Sequence, residues 1–407
     1  MKVSRLFEVA LGVVTSVGGF LEVGSIATAA QAGANFGLQL IWPIMLGTIC
    51  VIFLIEMSGR LAAVSGHPLP AAVRQRFGFR FFLFPLLAET LVDYLVLASE
   101  LGGCALALEL MTGISFRWFA LPVAFVAWLL LWRGTFGAIE YGVSLLGLIT
   151  LVFVVAAWKT HPPAAQFLRS MLPSLPRAHK ANYWFLVVSI LGATVSPYLF
   201  NFYSSGAAED HWDGKDLGAN RVTATIGMGF GGMISIAVLV AAAMTLFPRH
   251  VPADNALQIS WIVSTPLGRA GFWVFCAGLF IACFGATLEL SLDIAYVYSQ
   301  GFGWNWGENL RPAKAARFHA ISTIFIFASC IPLLFGIDPL KLTLFSMAIT
   351  TVILPLVILP FLVLMNDEQY VGKHPNGWIS NSIVYFVIVM AAILALIAIP
   401  LEIAGGH

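Results

Sequence analysis

Charged side chains are scarce in this sequence of 407 residues, since Asp, Glu, Lys and Arg together make up only 10%. A typical soluble domain contains roughly 25%. Hydrophobic residues reach 59%, which is more than a soluble core of this length needs. Basic and acidic residues nearly balance at a net charge of +1, which provides no basic surface for nucleic acid. The composition therefore excludes a soluble enzyme, a disordered chain and a nucleic-acid-binding protein.

Cysteines and catalytic motifs are also scarce. The five cysteines lie in apolar runs without the spacing of a metal cage, so we predict buried and unreactive thiols. The sequence has no G-x-S-x-G, H-E-x-x-H or Walker motif. We therefore predict that the protein is not an enzyme and carries no resident cofactor.

Long apolar runs dominate the sequence. A transmembrane helix needs about 20 predominantly apolar residues, and the runs here are unbroken rather than alternating. No long polar linker interrupts them, so we predict one all-α polytopic membrane domain over residues 1–407, embedded in a lipid bilayer. The eleven predicted spans are residues 7–35, 40–65, 81–111, 118–132, 137–158, 183–205, 227–247, 271–298, 319–335, 342–365 and 379–400.

The loops predict how the chain crosses the membrane. Lys and Arg are more frequent in the loops that share a side with the N-terminus, and cytoplasmic loops carry such an excess. We therefore expect a cytoplasmic N-terminus. Few cysteines and short loops are typical of a bacterial inner membrane.

Two of the predicted spans carry helix-breaking residues near their middle. In the first span Gly24 follows the carboxylate Glu22, and in the sixth span Pro197 follows Gly192. A helix broken at membrane depth exposes backbone groups that must face protein or a wet cavity. Paired breaks in the first helix of each half indicate an inverted-repeat transporter, although glycine and proline also serve helix packing. We predict repeats over residues 7–158 and 183–365, followed by an extra helix over 379–400.

The charged groups inside the predicted spans are almost all acidic. Charges inside a bilayer are costly and by default functional, so these carboxylates either hydrogen-bond as protonated packing groups or line a cation or proton route. We favour the route for Glu22, Glu100 and Glu289, with Asp93 and Asp293 beside them. Glu56 is the exception, because Arg60 follows it by four residues and predicts a structural ion pair. The carboxylates considered as candidates are Glu22, Glu56, Glu89, Asp93, Glu100, Glu109, Glu289 and Asp293.

The residues at the two breaks resemble the NRAMP family of divalent metal transporters. EVGSIATAAQAGANFG (22–37) is similar to the family's first-helix element, normally Asp-Pro-Gly-Asn followed by Ala-Thr and Gln-Ala-Gly. GATVSPYLFNFYSS (192–205) is similar to its sixth-helix element, normally Gly-Ala-Thr-Val-Met-Pro-His-Asn. Residues 60–78 and 99–108 resemble the segments after helix two and in helix three. The resemblance implies a LeuT-type fold of two inverted five-helix repeats, about 11 transmembrane helices with helices 1 and 6 interrupted, and alternating access around a central cation.

Several of the family's ligand positions hold other residues here. In the first helix the ligating Asp corresponds to Glu22, the Pro to Val23 and the ligating Asn to Ser25, while Gly24 is kept. The resemblance therefore implies a metal site that includes Glu22 and Ser25.

The sixth helix departs further from the family pattern. The ligating Met corresponds to Ser196, and the His and Asn that follow the kept Pro197 correspond to Tyr198 and Leu199. A second family histidine corresponds to Tyr203. The loss of this Met removes the sulfur at the ligand positions, and the loss of both histidines leaves tyrosines, which do not titrate near neutral pH.

These departures predict a preference for hard cations. Hydroxyl and carboxylate oxygens suit Mg²⁺ and Mn²⁺, and Mg²⁺ keeps several of its waters. Glu22, Ser25 and Ser196 with freed carbonyls suit a partly hydrated ion, as in the magnesium-transporting branch that the sequence resembles. We predict that Mg²⁺ is the preferred substrate and Mn²⁺ the second. We also predict weak or absent proton coupling, although Glu100 resembles the family's helix-three glutamate and would be one remaining member of a proton relay.

Two other functions stay open at the level of the sequence. A carrier of a small organic amine or amino acid uses the same fold, and Glu22 would repel an anion but attract an amine. A non-transporting scaffold or sensor is the other alternative, because Val23 and Leu199 depart from the family pattern.

Overall fold

The structure is a computed structural model that describes residues 22–133, 147–176 and 179–403. These residues form helices joined by short turns, with 3-10 turns at Gly37–Leu40, Leu148–Thr150 and Phe247–Arg249. The helices are α1 (Val23–Phe36), α2 (Ile41–Ser65), α3 (Leu69–Phe77), α4 (Phe79–Thr112), α5 (Arg117–Arg133), α6 (Leu151–Lys159), α7 (Ala164–Ser170), α8 (Lys180–Thr194), α9 (Pro197–Glu209), α10 (Leu217–Thr245), α11 (Ala256–Phe302), α12 (Ala316–Ala328), α13 (Cys330–Leu334), α14 (Pro339–Leu364), α15 (Glu368–Val371) and α16 (Trp378–Ile403).

The predicted spans coincide with helices wherever the structure describes them. Eight stretches of the described residues are long and apolar enough to cross a membrane, and the first of these contains α1 and α2. The fourth and fifth predicted spans correspond to the shorter helices α5 and α6. Residues 7–21 and 137–146 of the predicted spans lie outside the described ranges. The prediction of an all-α polytopic membrane protein is confirmed.

The outer surface of the helix bundle is apolar. Large hydrophobic side chains are exposed along the outward faces, for example Phe84, Trp118 and Leu359. A soluble monomer rarely leaves so much contiguous apolar surface in water. This surface therefore suits the hydrocarbon of a bilayer.

Two helices begin well before the predicted spans, since α10 starts at Leu217 rather than 227 and α11 starts earlier for a local reason. Helix α11 begins at Ala256 rather than 271, because Asn255 accepts from the Gln258 amide in a capping box. The first turns of α11 are separated from the membrane-spanning part by a kink at Gly268, whose φ of 67° a glycine adopts without strain. The segment between α6 and α8 contains the short helix α7, which starts directly after Pro163.

Two large apolar clusters form the interior. One contains Val23 of α1, and the other contains Tyr198 of α9 and Met347 of α14. Helix α4 packs along α11, and α10 packs along α1 and α2. The two breaks therefore contribute to different apolar clusters, Val23 to the first and Tyr198 to the second.

The predicted ion pair of α2 is present. Arg60 donates to Glu56 at 3.2 Å, and it also donates to the His374 carbonyl and to the Asn376 side chain. Arg221 lies 3.7 Å from the other oxygen of Glu56. These contacts join α2 to the segment before α16, which supports a structural role for Glu56.

Candidate metal site at the two helix breaks

The sixth predicted span is interrupted where the sequence predicts it. Helix α8 ends at Thr194, Val195 and Ser196 have non-helical backbone angles, and α9 begins at Pro197. Proline at the first helical position has a suitable φ and loses no helical hydrogen bond. The last carbonyls of α8 have no partners within the helix, so the break provides backbone oxygens as well as side chains.

The first predicted span has a helix start at the corresponding place. Glu22 has an extended backbone and α1 begins at Val23, while the earlier part of the span lies outside the described residues. The Val23 amide donates to both carboxylate oxygens of Glu100 on α4, at 3.1 and 3.2 Å. A carboxylate is stabilised there because the N-terminus of a helix carries partial positive charge. Glu100, predicted as a route residue, thus lies directly at the break.

The two breaks meet through Glu22. The Tyr198 hydroxyl of α9 donates to Glu22 Oε2 at 3.1 Å. The second oxygen, Oε1, is buried and has no hydrogen-bond partner among the described residues. The Ser196 hydroxyl is also buried, and it has no hydrogen-bond partner in the described part of the chain. An unsatisfied buried carboxylate oxygen is costly unless a ligand completes it, which singles out Glu22 Oε1 as a ligand position.

The remaining break residues lie beside Glu22. Ser25 is buried in the first turn of α1, and Gly24 precedes it. Thr28 donates to the Gly24 carbonyl at 2.7 Å, which occupies that oxygen. The structure thus places the predicted ligands Glu22, Ser25 and Ser196 at the starts of α1 and α9. Among the described residues, no group of three or more His, Cys, Asp and Glu side chains is arranged to hold a metal ion.

One residue at this site was missed by the sequence analysis. A Cβ atom built on Gly24 would stand 2.9 Å from Sδ of Met347 and 3.1 Å from Glu22 Oε1. Met347 is fully buried on α14. Its position in an apolar run is typical of a core residue, and no local pattern distinguishes it. Only the fold reveals that its sulfur lies near the first break.

A second group of carboxylates lies between α4 and α11. Asn201 of α9 donates to Glu89 at 3.2 Å. Asp293 interacts electrostatically with Asp93, Glu89 and Glu289, and neither of its own carboxylate oxygens has a hydrogen-bond partner in the described part of the chain. The predicted route residues of spans three and eight therefore form one cluster.

Tyr198 connects this cluster to the break. Its hydroxyl interacts electrostatically with Glu22, Glu289 and Glu100. Polar groups thus continue from the break towards the carboxylates between α4 and α11. Such a row of exchangeable groups is the arrangement that a proton or a second cation needs inside a membrane.

Tyr203 lies elsewhere on α9. Its hydroxyl donates to the Asn220 side chain at 3.0 Å, and Asn220 donates to the Glu56 carbonyl at 2.7 Å. These contacts join α9 to α10 and α2. The structure does not show Tyr203 in contact with the carboxylates of the break.

Comparisons with known proteins agree with this architecture. The chain is similar to crystal structures of a manganese transporter from Eremococcus coleocola. One contains an aromatic bis-isothiourea substituted compound, with 19% identity, a TM-score of 0.75, and coverage of 98% of this chain and 87% of that one. A mutant of the same transporter has 18% identity and a TM-score of 0.77 at the same coverage.

A second family of solved structures shares the fold. Mhp1, a nucleobase-cation-symport-1 family transporter in a closed conformation with bromovinylhydantoin bound, has 14% identity and a TM-score of 0.63. The match covers 96% of this chain and 91% of that one. The predicted LeuT-type fold is confirmed, and the interruption of the sixth span is seen between α8 and α9.

The architecture and the two breaks define an integral membrane protein with the fold of a secondary transporter. The profile of the family "Nramp: Natural resistance-associated macrophage protein-like" matches residues 12–400. The chain therefore belongs to the Nramp family.

Proposed function

We propose that this protein carries a divalent metal cation across a bacterial inner membrane by alternating access, with its N-terminus in the cytoplasm. The observation that carries the proposal is Glu22 Oε1 at the start of α1, a buried carboxylate oxygen that has no hydrogen-bond partner among the described residues. Membership of the Nramp family and the fold shared with a manganese transporter support the class of substrate.

Mg²⁺ is the proposed first substrate and Mn²⁺ the second. The ligand positions on the broken helices are oxygens, namely the Glu22 carboxylate, the hydroxyls of Ser25 and Ser196, and the carbonyls of α8. Mg²⁺ prefers few carboxylates and keeps several waters, and Mn²⁺ accepts the same oxygen ligands. One carboxylate with hydroxyls suits a partly hydrated ion.

The half-helices contribute to transport in different ways. The Glu22 carboxylate binds the ion, and Glu100 holds the start of α1 through the Val23 amide. The Tyr198 hydroxyl donates a hydrogen bond to Glu22, so the charged group at Glu22 is in contact with both α1 and α9. In the proposed mechanism the repeats over residues 7–158 and 183–365 rock around this site and expose it to each side in turn.

Metal uptake by proteoliposomes tests this function. We expect saturable, protein-dependent uptake of Mg²⁺ and of Mn²⁺, each inhibited by the other because they share Glu22. Uptake is measured with a lumenal Mg²⁺-sensitive dye and with radioactive Mn²⁺. Strong Fe²⁺ or Cd²⁺ uptake without Mg²⁺ uptake would refute the proposed selectivity. Transport of an organic amine in place of metal would assign the carrier alternative instead.

Proton coupling is expected to be weak or absent. Tyr198 and Tyr203 stand at the family's histidine positions and do not titrate near neutral pH. We therefore expect metal uptake to acidify the vesicle lumen little, as measured with a trapped pH dye in parallel with uptake. Robust metal-driven acidification that disappears in Glu100→Gln would show that a relay through Glu100 survives. The cluster of Glu89, Asp93 and Asp293 is then the proposed continuation of that route.

A further inference from the structure

We infer that Met347 is a ligand of the transported cation and supplies a soft donor from α14 to a site otherwise built from oxygens. The inference rests on the proposed function, because it concerns the same site. It replaces the expectation that this site lacks sulfur.

The geometry places the sulfur of Met347 against the break. A Cβ on Gly24 would stand 2.9 Å from Met347 Sδ and 3.1 Å from Glu22 Oε1, so these two atoms lie no more than 6.0 Å apart. Metal–oxygen and metal–sulfur bonds are about 2.0–2.3 Å long, so one ion joins a sulfur and an oxygen that are up to about 4.5 Å apart. The upper limit of 6.0 Å on the distance between sulfur and oxygen permits this arrangement once the flexible Met347 side chain rotates.

The backbone of Met347 is held in place by α8. A Cβ on Gly192 of α8 would overlap the Met347 carbonyl oxygen, so α8 and α14 touch at this point. Thr351 donates to the Val188 carbonyl at 2.8 Å one turn further along. The start of the Met347 side chain is therefore positioned by α8, close to the second break.

Hydrogen bonding explains why the proximity of Met347 Sδ to Glu22 Oε1 indicates a ligand site. A thioether sulfur accepts but has no hydrogen to donate, and an ionised carboxylate also only accepts. Met347 therefore cannot satisfy Oε1 of an ionised Glu22, and this oxygen has no hydrogen-bond partner among the described residues. A cation between the two acceptors satisfies both. Gly24 is essential to this approach, since any side chain at that position would displace the tip of Met347.

The thioether has a specific effect on selectivity. Mg²⁺ gains nothing from sulfur, Mn²⁺ tolerates it, and a soft ion such as Cd²⁺ gains affinity. We expect Met347→Leu to weaken Cd²⁺ binding by about tenfold or more and Mn²⁺ binding less, while the Mg²⁺ affinity stays within about twofold. Met365→Leu is the matched control, because Met365 is equally buried and directly follows α14.

A second sulfur near the site requires its own control. A Cβ on Gly103 would stand 2.5 Å from Cys283 Sγ and 3.2 Å from the Val23 side chain. Cys283→Ser removes this thiol with little change in volume. Cadmium bound to the purified full-length protein is examined by X-ray absorption for a sulfur neighbour, beside calorimetric titrations with Mg²⁺, Mn²⁺ and Cd²⁺. Variants are compared only if their metal-free forms unfold at the same temperature as the metal-free wild type.

The outcomes separate this inference from the proposed function. A Cd–S distance in the wild type, retained in Cys283→Ser and Met365→Leu but lost in Met347→Leu, supports the inference. Binding of Mg²⁺ or Mn²⁺ with no sulfur around Cd²⁺, or with sulfur lost only in Cys283→Ser, overturns the inference and leaves the proposed function intact. Failure of all three ions to bind overturns both.

Discussion

Glu22→Gln is expected to lower Mg²⁺ and Mn²⁺ uptake by about 100-fold or more, because it removes the charge that faces the ion. Loss of a group that only orients a metal ligand already costs about 10–100-fold in affinity. Glutamine has nearly the volume of glutamate and still accepts from the Tyr198 hydroxyl, so the contact between α1 and α9 is retained. Uptake by proteoliposomes and calorimetric titration of the purified protein measure the effect.

Glu109→Gln is the matched control for this experiment. Glu109 lies near the end of α4 and accepts from the Phe116 amide at 3.2 Å, away from both breaks. We expect its uptake to match that of the wild type. If Glu22→Gln transports as well as Glu109→Gln, the ion does not bind at the break. If neither variant nor the wild type transports metal, the scaffold or sensor alternative gains support.

Gly192→Val is expected to prevent the assembly of folded protein, and Gly192→Ala to destabilise it by about 3 kcal/mol or more. A Cβ at this position meets the backbone oxygen of Met347 and stands 2.7 Å from the Thr351 hydroxyl. Backbone atoms cannot rotate away as a side chain does, so α8 and α14 must separate. The midpoint of thermal unfolding and the monodisperse fraction after detergent extraction measure the loss.

Gly206→Ala separates this steric effect from the general effect of adding a methyl group. Gly206 lies within α9, and a Cβ there has nothing within 4 Å. We expect Gly206→Ala to match the wild type or to stabilise it slightly, because alanine favours the helix. Equal stability of Gly192→Ala and Gly206→Ala would show that α8 and α14 are not in direct contact.

The fold could be predicted because its signals are local. An apolar run of about 20 residues specifies a membrane span by itself, and Pro197 interrupts the sixth span by its own chemistry. The ion pair of Glu56 and Arg60 follows in the same way, since four residues of helix bring them together. The start of α11 was misplaced because its first turns lie before the kink at Gly268 and are less apolar than a span.

The candidate site could be predicted only in part, because its contacts join distant segments. The sequence indicates Glu22 through the break beside it, but Glu100 contacts Val23 from 77 residues away. Its hydrogen bond to a helix start depends on how α4 packs against α1, which no spacing encodes. Met347 is harder still, since a methionine in an apolar helix is normally a core residue.

The two oxygens of Glu22 have different surroundings, and in the proposed mechanism this difference affects how quickly the ion leaves. Oε2 accepts from Tyr198, so an arriving ion meets one oxygen of the carboxylate rather than both. Bidentate coordination would require the tyrosine to give up its hydrogen bond. A carrier must bind its ion firmly enough to load and loosely enough to unload. In the proposed mechanism, Tyr198 keeps the carboxylate monodentate and thereby shortens the residence time of the bound ion.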